Sequence, residues 1–385
     1  MTTKKKFPDI RFKGFVGEWE EKTLGDVFKT HPYKQYINEA SGDGLYEIVQ
    51  QGNNPILGYA NGQPFKNFQD VVLFGDHTLS LYKPNAPFFV ATDGIRILSG
   101  NDAMDGDFLY SLLVRYMPET QGYKRHFSIL KSVFSWITDN ENEQARIGGF
   151  FKTLDRLISL AREKHERTLN IKKAMLLRMF PQKGEKVPQL RFKGFKGEWA
   201  EKTLGELAIE VKRKANESTT APVMMISAAS GFINQSEKYS SDNAGSSLNN
   251  YTLLFKGELA YNHGYSKLRN YGSCFELTGE EARIPFVYHA FALPNDNSSF
   301  YSCYLNSGIF DRELKKRVSS TARMDGLLNI SYGSYMSIEV LRPSNEEQIK
   351  IGEFFRQLDD LLSCYRRQLG KLQNIKAACL QGMFA

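Results

Sequence analysis

Two stretches of the chain carry apolar residues at spacings that alternate between four and three. In residues 347–385 they are Ile351, Phe355, Leu358, Leu362, Tyr365, Leu369, Leu372, Cys379 and Met383, with Lys376 at the one polar position of the series. Residues 143–181 place Ile147, Phe151, Leu154, Ile158, Ala161, His165, Thr168, Met175 and Met179 on the same register, and Lys172 stands where the other stretch has Lys376. This is the spacing of a coiled-coil seam. At 1.5 Å per residue each helix runs about 55 Å, too long to stand without a partner, and the economical partner is the other copy. A globular stretch separates the two, so an antiparallel pairing related by a pseudo-twofold axis is expected.

The remaining apolar runs are short. Residues 70–74, 88–91, 94–98, 251–255 and 286–291 are aliphatic or aromatic and bounded by Gly, Pro, Asn or Asp, which predicts strands separated by turns. Helical spacing predicts one short helix in each half, at 106–116 and 299–314. Pro181 stops the first long helix and 182–186 reads as a linker, while Pro343, Ser344, Asn345 and Glu347 form a stop and N-cap before the second. The expected class is α+β: two globular mixed α/β domains in an internal repeat, joined by two long antiparallel coiled-coil helices. The boundaries are 1–142, a helix at 143–181, 182–346, and a helix at 347–385.

Self-comparison gives the pattern its meaning. PDIRFKGFVGEWEEKTLGDV at 8–27 returns as PQLRFKGFKGEWAEKTLGEL at 188–207, and the segment 143–180 returns as 347–384. The first pair is offset by 180 residues and the second by 204, so the stretch between is longer by 24 in the second half. The middles, 28–142 and 208–346, show no alignable identity beyond short strand-like fragments. A scaffold that repeats while its displayed modules diverge suits two different specificities held in one geometry.

Composition sharpens this only slightly. The 385 residues carry 50 Lys and Arg against 43 Asp and Glu, a net charge of +7 that favours a polyanionic partner weakly. No apolar run approaches the roughly 20 residues that span a bilayer, and no apolar segment follows the basic start, so a cytoplasmic protein without a membrane partner is expected. The cysteines Cys274, Cys303, Cys364 and Cys379 lack metal-ligand or disulfide spacing and read as reduced, mostly buried thiols.

Catalytic signatures are missing. There is no phosphate-binding G-x-x-x-x-G-K-[ST], no dinucleotide fingerprint, no N-P-P-[FY] or D-P-P-Y run for a target base, and no histidine set of metalloprotease type. No catalytic residue, metal or cofactor is expected in this chain. The middles carry instead basic and amide side chains interleaved with aromatics. In the first half these are Tyr33, Lys34, Gln51, Asn53, Asn54, Lys66, His77, Lys124 and Arg125; in the second, Lys212, Arg213, Lys214, His263, Tyr265, Lys267, Arg269 and Arg323. Arg can grip guanine, Asn and Gln adenine, and Lys a phosphate, so DNA contact is expected of these groups. Phe150 and Phe354 fall off the helical seam and face either the globular halves or a second protein; with Trp19 and Trp199 they are the candidate subunit-docking residues.

At this point the chain resembles the specificity subunits of type I restriction-modification systems. The resemblance rests on the twice-occurring RFKGF-x-GEW-x-EKTLG, the twice-occurring EQ-x-x-IG-x-FF-x-x-LD and the later N-I-K-x-A, and covers nearly the whole chain. It implies two target recognition domains, each reading one half of a split site on double-stranded DNA, with the paired helices as a ruler for the spacer. It also implies two modification subunits that bring S-adenosylmethionine and methylate adenine, and two restriction subunits that use ATP and Mg. One departure is visible: the second domain ends Val340-Leu341-Arg342-Pro343, the first Trp136-Ile137-Thr138-Asp139 without proline. Two readings of other classes stay open: an interaction scaffold whose middles bind protein, and an enzyme with an unrecognised site.

Overall fold

A computed structural model describes residues 7–102, 104–122, 124–216, 218–237, 250–318 and 328–385. The chain divides into two compact units, Met1–Glu163 with Tyr365–Ala385, and Lys164–Cys364. Each unit therefore takes one globular middle, part of the helix that follows it, and part of the other long helix.

In the first unit the strand Glu20–Thr23 pairs antiparallel with Phe134–Ile137 and closes the middle at its two ends. Between them lies a four-stranded sheet in the order Phe28–His31, Ile95–Gly100, Val71–Gly75, Leu81–Tyr82, antiparallel throughout. Three strands, Ile56–Ala60, Tyr46–Val49 and Phe88–Val90, form a second sheet. The helix Gly106–Arg115 starts on an Asp105 cap and buries Phe108, Leu109, Leu112 and Leu113. Its fourfold and threefold spacing gives the face that the core needs.

The second unit repeats the plan. Ala200–Thr203 pairs with Glu339–Arg342, and the four-stranded sheet runs Ile209–Glu210, His289–Ala292, Leu259–Asn262, Ser273–Glu276. The strand order matches that of the first unit although the sequences do not align. Where the first unit has a three-stranded second sheet, the second has two pairs, Met224–Ser227 with Gly231–Asn234 and Thr252–Phe255 with Glu281–Ile284. The helix expected at 299–314 is broken into Ser298–Tyr304 and Gly308–Arg317, because Ser307 accepts a hydrogen bond from Phe310 and caps a new start. The strand expected over 286–291 is confined to His289–Ala292, after a turn in which Tyr288 donates to the Pro285 carbonyl.

The long helices span Glu141–Arg178 and Asn345–Gly382. Asn140 caps the first and Ser344 the second through the backbone N–H of Glu143 and Glu347, so both helices start on an equivalent cap although Asp139 stands where the second half has Pro343. Their pairing is antiparallel in each unit. In the first, Phe151 stacks on Phe384 while Asp155 meets Lys376; in the second, Phe355 stacks on Phe180 while Asp359 meets Lys172. The two lysines that interrupt the seam thus answer to aspartates at equivalent positions, both at 2.5 Å.

The repeated motifs are halves of one clamp. Arg11 holds both carboxylate oxygens of Glu143 at 2.6 and 2.8 Å and the Gly17 carbonyl at 2.7 Å; Arg191 holds Glu347 at 2.6 and 2.7 Å and the Gly197 carbonyl at 2.6 Å. Gly17 and Gly197, at φ +104° and +81°, turn the backbone into the left-handed region that places those carbonyls. Phe12 meets Phe150 edge to face at 5.9 Å, and Phe192 meets Phe354 at 6.1 Å. Of the two alternatives for Phe150 and Phe354, these contacts give each a partner on its own globular half.

Trp19 and Trp199 do not lie on a docking surface. They are 2% and 1% exposed, and each receives the phenylalanine two positions past the end of a long helix, Phe384 at 6.0 Å and Phe180 at 6.2 Å. An indole fills such a socket because it buries a large apolar area in one rigid group.

Candidate nucleic-acid interface

In the second unit the sheet strands Leu259–Asn262 and Ser273–Glu276 are joined by residues 263–272, the stretch with the densest candidate residues. The sequence at the tip, Ser266-Lys267-Leu268-Arg269, closes on itself: Ser266 and Arg269 exchange backbone hydrogen bonds, both at 3.1 Å. Lys267 and Leu268 are left at the apex. Tyr265 and Leu268 are 60% and 70% exposed.

Two of the expected contact residues point the other way. The Arg269 guanidinium donates to the Gly272 and Asn306 carbonyls at 3.3 and 2.6 Å and to Asp311 at 2.7 Å, which commits one donor of each of its nitrogens beneath the tip. His263 is buried, with its ring nitrogens 2.8 and 2.9 Å from the Leu328 and Val287 carbonyls. Both side chains are held by these bonds within the fold instead of extending from the tip, and a donor already engaged cannot be shared with a base without breaking its present bond. Tyr261 adds a third tie through its hydroxyl to the Tyr271 carbonyl at 2.6 Å. Behind the hairpin, burial pushes the Cys274 thiol up to about 12 and lowers His289 from its ordinary value, so both groups stay neutral near pH 7.

The topologically equivalent turn of the first unit, 76–80 between Val71–Gly75 and Leu81–Tyr82, is shorter and carries His77. Its base is Asp76, which is 1% exposed: one oxygen accepts from the Phe127 backbone at 2.8 Å, and the other lies 3.3 Å from Arg96. Arg96 stacks on Tyr33 at 5.2 Å, and buried His126 lies 3.2 Å from the Asp76 carbonyl, next to the exposed Lys124 and Arg125. Gln51 accepts from the His77 backbone at 3.1 Å, so it holds the turn in place. Gly75 and Gly94 have no room for a side chain, since a Cβ there would meet Gln51 at 2.6 and 2.7 Å. Tyr33, Gln51, His77, Lys124 and Arg125 are therefore brought together, and Asp76, invisible as a candidate, organises them.

The other candidates are scattered. Asn53 and Asn54 sit on the exposed turn next to Gln51, while Lys34 and Lys66 are exposed beside Tyr36 and Phe65, which meet edge to face at 5.3 Å. Lys212 pairs with Glu210 at 2.8 Å, and Arg213 spans Glu258 and lies 4.4 Å over Phe255. Lys214 is exposed next to them. Arg323 lies outside the described residues. Of the cysteines, Cys274 is buried, Cys303 and Cys379 are half-buried and Cys364 is exposed. Among the described residues no group of three or more His, Cys, Asp or Glu converges as a metal site, and no helix is long and apolar enough to cross a membrane.

Each unit thus presents a fixed hairpin tip of its own length and chemistry on a shared sheet, flanked by exposed cations and amides. Such a surface offers donors to base edges and charge to phosphates.

No protein-family profile matches the chain, and no curated protein matches it. Solved structures do. The crystal structure of a type I restriction-modification system S subunit from M. genitalium aligns with 98% of this chain and 99% of its own at a TM-score of 0.63 and 19% identity. The HsdS subunit from Thermoanaerobacter tengcongensis aligns over 95% and 97% at 0.38 and 16%. A structure concerned with complex assembly and conformational transition of the type I R-M system aligns over 94% and 96% at 0.40 and 14%. The likeness to the M. genitalium subunit, end to end, is one of fold.

Proposed function

We propose that this chain is the sequence-specific DNA-recognition subunit of a type I restriction-modification complex, working in the cytoplasm and doing no chemistry itself. The observation that carries the reading is the paired construction. Two modules of one sheet order and one clamp carry different hairpin tips. Each module, 1–142 and 182–346, reads one half of a bipartite site, and the helices at 143–181 and 347–385 set the unread spacer between the halves. Fixing two readers at a set separation is how dimeric DNA-binding proteins define half-site spacing. The end-to-end likeness to an S subunit supports it.

The partners on this reading are double-stranded DNA, two modification subunits that carry S-adenosylmethionine, and two restriction subunits that use ATP and Mg. Co-expression with the modification subunit, followed by mapping of methylated adenines over a random DNA library, tests it. The expected result is a two-part motif with a fixed gap. Exchange of residues 28–142 for another such domain then changes one part only. Methylation without sequence preference, or its absence, overturns the reading.

A further inference from the structure

A connection between two antiparallel strands needs as few as two residues. The second unit uses 263–272 and ties it down with side chains: Arg269 to Gly272, Asn306 and Asp311, His263 to two carbonyls, and Tyr261 to Tyr271. Three sets of ties under one tip give a rigid projection. Its apex is a closed two-residue turn that holds Lys267 and an exposed leucine, Leu268, outward. A single exposed leucine on a surface is ordinary; one held at the apex of a braced ribbon is presented.

We propose, resting on the DNA-recognition reading above, that the 263–272 hairpin enters the major groove and that Leu268 contacts a thymine C5 methyl group. Lys267 reaches a guanine edge or a phosphate beside it, and Arg269 is a positioning residue that acts through the hairpin. The major groove is about 12 Å wide and admits a two-stranded ribbon, and the thymine methyl is the one apolar group on its floor. Leucine is suited to that group and to no hydrogen-bonding edge. Arg269 is assigned to positioning because each of its three nitrogens already donates beneath the tip and its charge is answered by Asp311. The first unit has the same device in shorter form, with Asp76 and Gln51 bracing the turn that carries His77.

The test uses the full chain in complex with its modification subunit. Bound duplexes are selected from a randomised pool to give the wild-type motif, and each thymine of the half-site is then replaced by deoxyuridine, which removes only the methyl. At one position the replacement is expected to weaken wild-type binding about fourfold, the worth of one buried methyl, and to have no effect on Leu268→Ala. Arg269→Lys and Asp311→Asn are expected to blur several neighbouring positions of that half-site together.

If the wild-type pool yields no two-part motif, the recognition reading falls and this one with it. If the motif is there but no thymine couples to Leu268, or the half-site holds no thymine, the hairpin assignment alone is overturned. A loss confined to one base pair in Arg269→Lys, with Asp311→Asn silent, makes Arg269 a reader and overturns its positioning role.

Discussion

At the scale of residues, the repeated letters turn out to be contacts made twice. Arg191 and Glu347 lie far apart in sequence and meet as a bidentate pair around a carboxylate that is fully buried. Such a pair adds little over a well-packed apolar pair, but removing one partner strands the other's charge in the core. Arg191→Met is therefore expected to destabilise the second unit by about 3–5 kcal/mol. Thermal unfolding followed by circular dichroism measures it, and a cost below 1 kcal/mol would mean that water reaches Glu347. The motif was legible in the sequence as a repeat, but its partners were not, because nothing in a spacing says which arginine faces which acid.

At the scale of elements, the seam was read correctly from its period, down to the two lysines. What the period could not give is what those lysines meet. Lys172 is paired with Asp359, which is half exposed, and pairs so placed are worth about 0.2–1 kcal/mol. Lys172→Leu is thus expected to leave the helix pair as stable as before or more so, since an apolar side chain suits a seam position. Asp359→Lys, which sets two cations together, is expected to lower the melting temperature by several degrees in low salt, and added salt restores part of the loss. Equal losses from both substitutions would show that the pair holds the helices together by its own attraction. The short strands were also visible in outline. The broken helix around Ser307 was not, because a cap formed by one serine is a local event inside a continuing apolar pattern.

At the scale of the whole molecule, each compact unit is completed by residues distant in sequence. Phe384, two positions past the last helical residue Gly382, sits in the first unit against Trp19, Phe108, Tyr116 and Phe151, with the Tyr116 hydroxyl on the Ala385 carbonyl. Phe180 fills the matching socket of the second unit against Trp199, Phe300, Tyr304 and Phe355. Phe384→Ala is expected to cost about 3–5 kcal/mol, as for other large-to-small changes in a core. Hydrogen exchange locates the effect: amides of Gly106–Arg115 should lose protection while those of Ser298–Tyr304 keep theirs. Uniform loss in both helices would mean that the two units unfold as one.

The sequence by itself determined the duplication, the two long helices, their seam and the division between a repeated scaffold and changing middles. These follow from period and identity, which are properties of the letters. Only the tertiary structure decided which residues face inward. Trp19, Trp199, His263 and Arg269 have the composition of a contact surface, yet packing and hydrogen bonding spend them inside, while Leu268, apolar and unremarked, is held outside. The common sheet order of the two middles was equally hidden, since many different side chains satisfy the same ladder of backbone hydrogen bonds. A side chain's chemistry is written in the sequence, but whether its donors are already taken depends on neighbours that only the folded chain brings within reach.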